Sequence, residues 1–195
     1  MPKKAFYEHL TVPSAIKEEI IRCIERIEII ASLKATSTHI PAGEKVAEID
    51  VLGLYLRSSE GSYEVPYDAI DLIAKSVPNK QLFVCFVDDK VKLLVRRDRL
   101  YETAWQLCDK AVIELRGTNL DELWNSLSSQ VVFADSEPAD FVGRVERKNR
   151  IEVLQKELAT VNKKRKNEKQ IRRKNALFDR KRAIEAELSR LEGEL

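Results

Sequence analysis

QLFVCFVDDKVKLLVRR, residues 81–97, gives the clearest indication of how this chain of 195 residues folds. Its first part, QLFVCFV, is a short continuous apolar run, which is typical of a strand buried inside a sheet. The turn DDK leads into VKLLVRR, a second strand-like run, so the stretch predicts a tight β-hairpin. We expect the neighbouring elements to pack around this hairpin.

The segments before the hairpin predict a helix, a strand and a second helix. Apolar residues at three- and four-residue spacings indicate one amphipathic helix over residues 14–30. KVAEIDVLGLYLR, residues 45–57, predicts a strand. Pro66 is expected to begin a helix that Pro78 ends, because proline fits the first turn of a helix and not its interior.

The segments after the hairpin predict further strands and another helix. LYETAW, residues 100–105, and AVIELRG, residues 111–117, have the composition of strands. Residues 120–132 have helical periodicity, with Asn119 as the N-cap and Trp124 facing inward. Trp124 is therefore expected in the core, together with Phe83 and Phe86.

This order of elements predicts an α+β domain over residues 1–135, built on a mixed β-sheet with packed helices. ADSEPAD, which is polar and acidic and contains a proline, predicts a linker over residues 136–143. Residues 144–195 follow as a helical coiled-coil tail.

The tail carries two apolar seams with coiled-coil spacing, one beginning at Ile151 and the other at Leu177. The seams differ in phase by two residues, about 200° around a helix, so one straight helix would place them on opposite sides. An antiparallel hairpin that turns near Asn167 resolves this, pairing Ile151 with Ile184 and Leu158 with Leu177. The alternative is a long straight helix that dimerises or docks on another subunit, and the absence of Gly and Pro at the turn favours it.

Charge is unevenly distributed along the chain. Residues 141–195 contain 17 basic and nine acidic residues, a net charge of +8, whereas residues 1–140 carry −6. NKKRKNEKQIRRKN, residues 162–175, holds eight of these basic residues at the expected turn. It is either a solvated turn or a surface that contacts a protein or phosphate groups. The candidate contact residues are Lys164, Arg165, Lys169, Arg172 and Arg173.

Residues that carry catalytic chemistry are scarce. Cys23, Cys85 and Cys108 lie far apart in apolar runs and predict buried, reduced thiols of a cytosolic protein. His9 and His39 have no Cys or carboxylate at metal-ligand spacing. Phosphate-binding and hydrolase motifs are absent. We therefore expect no catalytic residues, no metal and no cofactor.

Glu48 and Asp50 alternate on a predicted strand and resemble half of a metal-nuclease site, but no ExK motif follows on the next strand. A diverged metal-dependent nuclease is therefore the weakest alternative. No apolar run is long enough to span a membrane and no signal peptide is evident, so a cytoplasmic protein is expected.

Several motifs resemble a bacterial and archaeal family known as domain-of-unknown-function family 4391. These are the I-E-x-I pattern at Ile24–Ile27, expected in a helix, the Tyr-x-Thr-x-Trp pattern in YETAW, the segment GTNLDELWNSL and the tail EKQIRRKNALFDRKRAIEAELSRLEGEL. The resemblance extends from residue 13 to residue 195. It implies no catalytic residues. It does imply a genomic context, since genes of this family often lie beside DNA methyltransferases and helicases of restriction-like, anti-phage systems.

Three functional hypotheses follow. The first is a non-enzymatic accessory subunit of a DNA restriction-modification-like or anti-phage defence assembly, with a DNA methyltransferase or helicase as its protein partner. The second is a DNA-binding module that uses the basic C-terminal helices on the phosphate backbone. The third is the diverged nuclease. Self-association through the C-terminal helices is left open by the sequence.

Overall fold

The computed structural model describes residues 12–58 and 63–194. The chain divides into two compact units between Ala139 and Asp140. The first unit contains a mixed sheet with helices and the second is a pair of long helices, so the α+β class with a helical hairpin is confirmed.

The sheet of the first unit has six strands in the described residues. They are β1 (Ile24–Leu33), β2 (Ile49–Leu56), β3 (Lys80–Val87), β4 (Lys90–Arg96), β5 (Leu100–Glu102) and β6 (Gln106–Leu107). The order is β1-β2-β3-β4-β5, and β6 also pairs with β4. Only the β2–β3 pair is parallel, and the other pairs are antiparallel.

The predicted β3–β4 hairpin is confirmed and lies inside the sheet. Asp88 and Asp89 form its turn, and Asp88 has a φ of 51°, a left-handed conformation that aspartate tolerates better than most residues. Phe83 and Leu94 face each other in the register and are both fully buried. Phe86 was expected in the core, but it is only partly buried and stacks on Tyr55 at a centroid distance of 4.9 Å.

One face of the sheet packs against helices α1 (Ser14–Cys23) and α3 (Tyr67–Ser76), whereas the short helix α2 (Ala35–Thr38) lies in the connection after β1. The predicted helix after Pro66 is confirmed as α3, and it provides the crossover between the parallel strands β2 and β3.

The single N-terminal helix expected over residues 14–30 is wrong, and with it the helix expected for the I-E-x-I pattern. The helix ends at Cys23, and the chain continues directly as β1. The helix prediction is wrong because the β1–β2 pairing has a register shift between Ile24 and Arg26. This shift places Ile24 opposite Leu56 and Ile27 opposite Leu54. Both isoleucines are thus buried on one face although they are three residues apart, a spacing that imitates a helix. The many β-branched residues favour the strand.

The opposite face is covered by α4 (Leu120–Val132), which contacts β4 and β5. The predicted cap is confirmed, because the Asn119 side chain accepts a hydrogen bond from the Glu122 backbone N–H at 3.0 Å. Trp124 is 4% exposed, as expected for a core residue.

The strand expected over residues 111–117 is wrong. A short 3-10 helix, Cys108–Lys110, precedes this segment, and the segment itself has no regular structure. The Gln130 side chain binds both backbone groups of Glu114, at 2.8 Å and 2.9 Å, and so replaces a neighbouring strand. The strand predicted from LYETAW is also shorter than expected and ends at Glu102, before pairing resumes in β6.

The second unit consists of α5 (Phe141–Asn167) and α6 (Ile171–Glu192), which pack antiparallel. The predicted hairpin is confirmed, and Ile151, Ile184, Leu158 and Leu177 belong to one apolar cluster between its helices. Two ion pairs also join the helices, Arg150–Glu187 and Arg180–Glu157. The alternative of one straight helix is wrong, because the helical conformation is interrupted between residues 168 and 170.

Candidate partner-binding surface at the hairpin tip

The hairpin tip, defined as residues 162–175, turns without glycine or proline. Glu168 and Gln170 take extended conformations, with φ/ψ of −75°/127° and −83°/120°, which any L-residue adopts without strain. The Glu168 carboxylate accepts a hydrogen bond from the Gln170 backbone N–H at 2.9 Å and closes the turn. The Glu-Lys-Gln element thus acts as a local substitute for the missing glycine.

Nearly all the excess charge of the second unit lies at the tip. The tip has eight basic residues and one acidic residue, a net charge of +7, whereas the rest of residues 141–195 carries nine basic and eight acidic residues. Away from the tip, Arg150, Arg180, Lys181 and Arg190 each bind a carboxylate. Across the described part of the chain, no ion pair involves any of the eight basic side chains of the tip.

The five candidate contact residues lie around this turn. Lys164, Lys169, Arg172 and Arg173 are exposed. Arg165 differs from them, because it is partly buried and its guanidinium lies 5.9 Å from the centre of the Phe178 ring. Lys164 and Arg173 line a common groove, whereas the other three candidates are not part of its lining.

This tip groove was not foreseen from the sequence. It has a volume of about 900 Å³ and lies between the end of α5 and the start of α6. Its lining residues are Thr160, Lys163, Lys164, Asn167, Glu168, Arg173, Ala176 and Leu177. Most of the surface that they present is apolar and comes from alkyl groups, including the stems of the lysines.

The groove forms because the apolar packing between α5 and α6 stops before it reaches the turn. Val161 is the last buried residue of α5, and Leu177 is the first apolar residue of α6 that packs against the cluster. Between Val161 and Leu177, no large apolar side chain is buried in the space between the helices. Ile171, the one large apolar residue of the tip, is 78% exposed. In the sequence, the interval without large buried residues between the two apolar seams could have predicted this groove.

Comparison with known families connects the chain to one of them. The sequence model of a family described as "Domain of unknown function (DUF4391)" matches residues 1–188. The chain belongs to this family. The match begins at residue 1 and ends at residue 188, whereas the resemblance noted in the sequence began at residue 13 and ran to residue 195. No curated protein and no solved structure gave a significant match.

The Tyr-x-Thr-x-Trp pattern has a structural role in this DUF4391 chain. The Tyr101 hydroxyl donates a hydrogen bond to Asp98 at 2.9 Å, and the Thr103 hydroxyl accepts one from the Leu93 backbone N–H at 3.1 Å. Trp105 lies beside Lys92, whose ammonium is 5.3 Å from a ring centre of the indole. The first contact fixes the turn between β4 and β5, and the other two hold the irregular segment after β5 against β4.

Lys92 is a buried cation inside the first unit. Its ammonium pairs with Glu102 at 3.0 Å, and the same carboxylate accepts a hydrogen bond from the Tyr67 hydroxyl at 2.7 Å. Partial loss of solvation at its hydroxyl raises the pKa of Tyr67 to about 12, although the residue as a whole is 43% exposed, and the Glu102 contact acts in the same direction. Burial likewise raises the pKa of the Cys85 thiol to about 12, so this cysteine is protonated at neutral pH.

The acidic pair considered for a nuclease has other contacts. Glu48 accepts a hydrogen bond from the Ser32 hydroxyl and lies 3.8 Å from the Lys34 ammonium. Asp50 accepts a hydrogen bond from the Asn79 amide at 3.0 Å. Within residues 12–58 and 63–194, no group of three or more His, Cys, Asp or Glu side chains could hold a metal ion.

The remaining sequence candidates have the following positions. Cys23 and Cys85 are buried as expected, but the expectation for Cys108 is wrong, because it lies exposed in the short 3-10 helix. His39 ends helix α2 in a left-handed conformation, and His9 lies outside the described residues. Among the helices in the described ranges, none has the length and apolarity that crossing a membrane requires.

Proposed function

We propose that this DUF4391 chain is a non-enzymatic, cytoplasmic accessory subunit of a restriction-modification-like or anti-phage assembly. In this proposal the hairpin tip binds an acidic surface of a protein partner, such as a DNA methyltransferase or a helicase. The genomic context implied by the family resemblance supports the type of assembly. The geometry of the tip supports the binding role.

The observation that carries the proposal is the set of eight basic side chains at the tip that have no ion pair within the described chain. Arg172 and Arg173 stand in the first turn of α6, where the helix dipole disfavours a cation by roughly 0.3–1 kcal/mol. Their positions therefore weaken the isolated hairpin slightly and bring no intramolecular ion pair in return. An external anionic partner would supply the missing counter-charge.

DNA is the second candidate partner, and the density of Lys and Arg at the tip is the observation that favours it. Exposed basic side chains can bind phosphate groups with release of counterions, without reading the base sequence. This mode predicts a steep dependence of affinity on salt. The slope of log K against log salt should flatten by about 0.9 for each phosphate contact that is removed.

The test compares two triple variants of equal charge change. Lys164, Arg172 and Arg173 are replaced by Glu in the tip variant, and Lys90, Lys110 and Lys156, which are exposed residues elsewhere, are replaced by Glu in the control. Both proteins are used in pull-downs with the products of neighbouring genes and in titrations with duplex DNA at several salt concentrations.

The proposal predicts that the tip variant loses its protein partner while the control retains it. The DNA-binding function would replace the proposal if two results are found together. The tip variant binds DNA more weakly and with a flatter salt slope than the control, and neither variant captures a protein partner. Retention of every interaction by the folded tip variant would refute a binding role for the tip. Both variants should fold, because exposed charges change stability by less than about 0.5 kcal/mol.

A further inference from the structure

We infer that the tip groove binds an amphipathic helix of the partner protein, with an acidic face and an apolar edge. This inference rests on the proposed function and adds the chemical character of the partner. It excludes duplex DNA as the occupant of the groove. The exposed charges of the tip account for attraction to any polyanion, whereas the groove adds a requirement for apolar side chains.

The size of the groove fits a helical segment. Its volume of about 900 Å³ is close to that of two helical turns, which are roughly 10 Å across and 11 Å long with their side chains. The groove runs between two helices, a common arrangement in which a third helix inserts its apolar residues. Ala176 leaves room in its wall because its side chain is a single methyl group.

The charged residues that line the groove favour an occupant with negative charge. Lys163, Lys164 and Arg173 line it together with a single carboxylate, that of Glu168. Glu168 already accepts the Gln170 backbone N–H, whereas the three cations have no carboxylate partner in the described chain. An acidic helix would complement this net positive lining.

The apolar wall distinguishes a protein helix from nucleic acid. The phosphate backbone of a duplex presents charged oxygens and would leave Ala176, Leu177 and the lysine stems without apolar contact. An amphipathic helix presents both carboxylates and leucine side chains, and so matches both parts of the surface. A second copy of this chain is a poorer match, because its own tip has the same positive charge.

The experiment uses two synthetic 20-residue peptides labelled with fluorescein. The first is an amphipathic helix with leucines along one edge and glutamates on the faces that flank this edge, and the second has the same charge but glutamine in place of each leucine. Binding to the full-length protein is measured by fluorescence anisotropy. The first peptide should bind at least tenfold more tightly, since burial of a single leucine exceeds the free energy of one decade in Kd.

Two variants of the protein test whether the preference for the leucine peptide arises in the groove. A176W fills the groove and should reduce the affinity for the leucine peptide to that of the glutamine peptide. A183W places the same side chain on another exposed alanine of α6, one heptad away and outside the groove, and should bind like the wild type. Duplex DNA should bind equally to all three proteins.

The outcomes separate this inference from the proposed function. Equal affinity for the two peptides, no binding of either, or unchanged binding by A176W would overturn the groove as a helix site. The partner pull-down with the tip charge variant would then still decide the proposed function by itself. Wild-type dimers that A176W converts to monomers, measured by light scattering, would assign the groove to a second copy and would also overturn the inference.

Discussion

Replacing Trp124 by alanine tests whether the second face of the sheet depends on α4. The indole is 4% exposed, and the Arg97 guanidinium lies 5.5 Å from a ring centre of the indole. Arg97 itself is held by Asn125 and Ser128 on the same helix, at 3.1 Å and 3.3 Å. The substitution therefore removes the aromatic ring that packs against this partly buried cation, while the hydrogen bonds of the cation are retained.

The expected loss follows from the area that the ring covers. A buried aromatic side chain removes about 150–250 Å² from water, worth roughly 4–6 kcal/mol at about 25 cal/mol per Å². This is an upper value, because the unfolded chain already covers part of the ring and alanine keeps one carbon. Substitutions of this kind cost about 3–5 kcal/mol, including the cavity that remains. We expect the free energy of unfolding of Trp124→Ala to fall within that range.

Urea unfolding measures the change, followed by far-UV circular dichroism and by the fluorescence of Trp105, the other tryptophan of the chain. Val112→Ala is the control in the same unit, because Val112 is 75% exposed and its loss should change stability by less than about 0.5 kcal/mol. A loss below about 1 kcal/mol for Trp124→Ala, with an unchanged m-value, would show that the ring is not packed in solution.

Two further predictions concern ion pairing and the hairpin. Burial tends to raise the pKa of Asp71, but hydrogen bonds from Lys75 and Arg96 outweigh this effect and lower the pKa below its usual 3.8. The ionised carboxylate therefore stabilises the fold at pH values above 3.8. Asp71→Asn should therefore be less stable by about 1 kcal/mol at pH 7, and its deficit should shrink as the pH falls through the lowered pKa. A deficit that does not change with pH would contradict this origin. Cysteines at Ile151 and Ile184, in a background without the exposed native cysteine, should form a disulfide within one chain, and gel mobility showing only cross-linked dimers would contradict the hairpin.

The sequence predicts well where one physical signal dominates. The β3–β4 hairpin follows from two apolar runs around a two-residue turn, and α4 follows from its Asn119 cap and its periodicity. The helical hairpin follows from the phases of its two seams, and the extended residues between its helices show why glycine was unnecessary.

The sequence misleads where a local irregularity changes the apparent period. The register shift at Ile24 gives a strand the spacing of a helix, and no composition rule detects it. Residues 111–117 have strand composition, but Gln130, distant in sequence, takes up backbone groups that a strand would use. In the candidate site, the basic residues were evident from sequence, whereas the groove depends on how far the two helices remain packed.

The uneven charge of the hairpin affects the rate at which a partner arrives. The helix α5 has 27 residues, about 40 Å at 1.5 Å per residue, whereas the field of an exposed charge is screened over about 8 Å at physiological ionic strength. An approaching polyanion is thus attracted only near the tip, and the attraction guides it to one end of the hairpin. Long-range attraction of this kind acts mainly on association, whereas short-range contacts determine dissociation. Ionic strength should therefore control how often the tip captures its partner far more than how long it holds it.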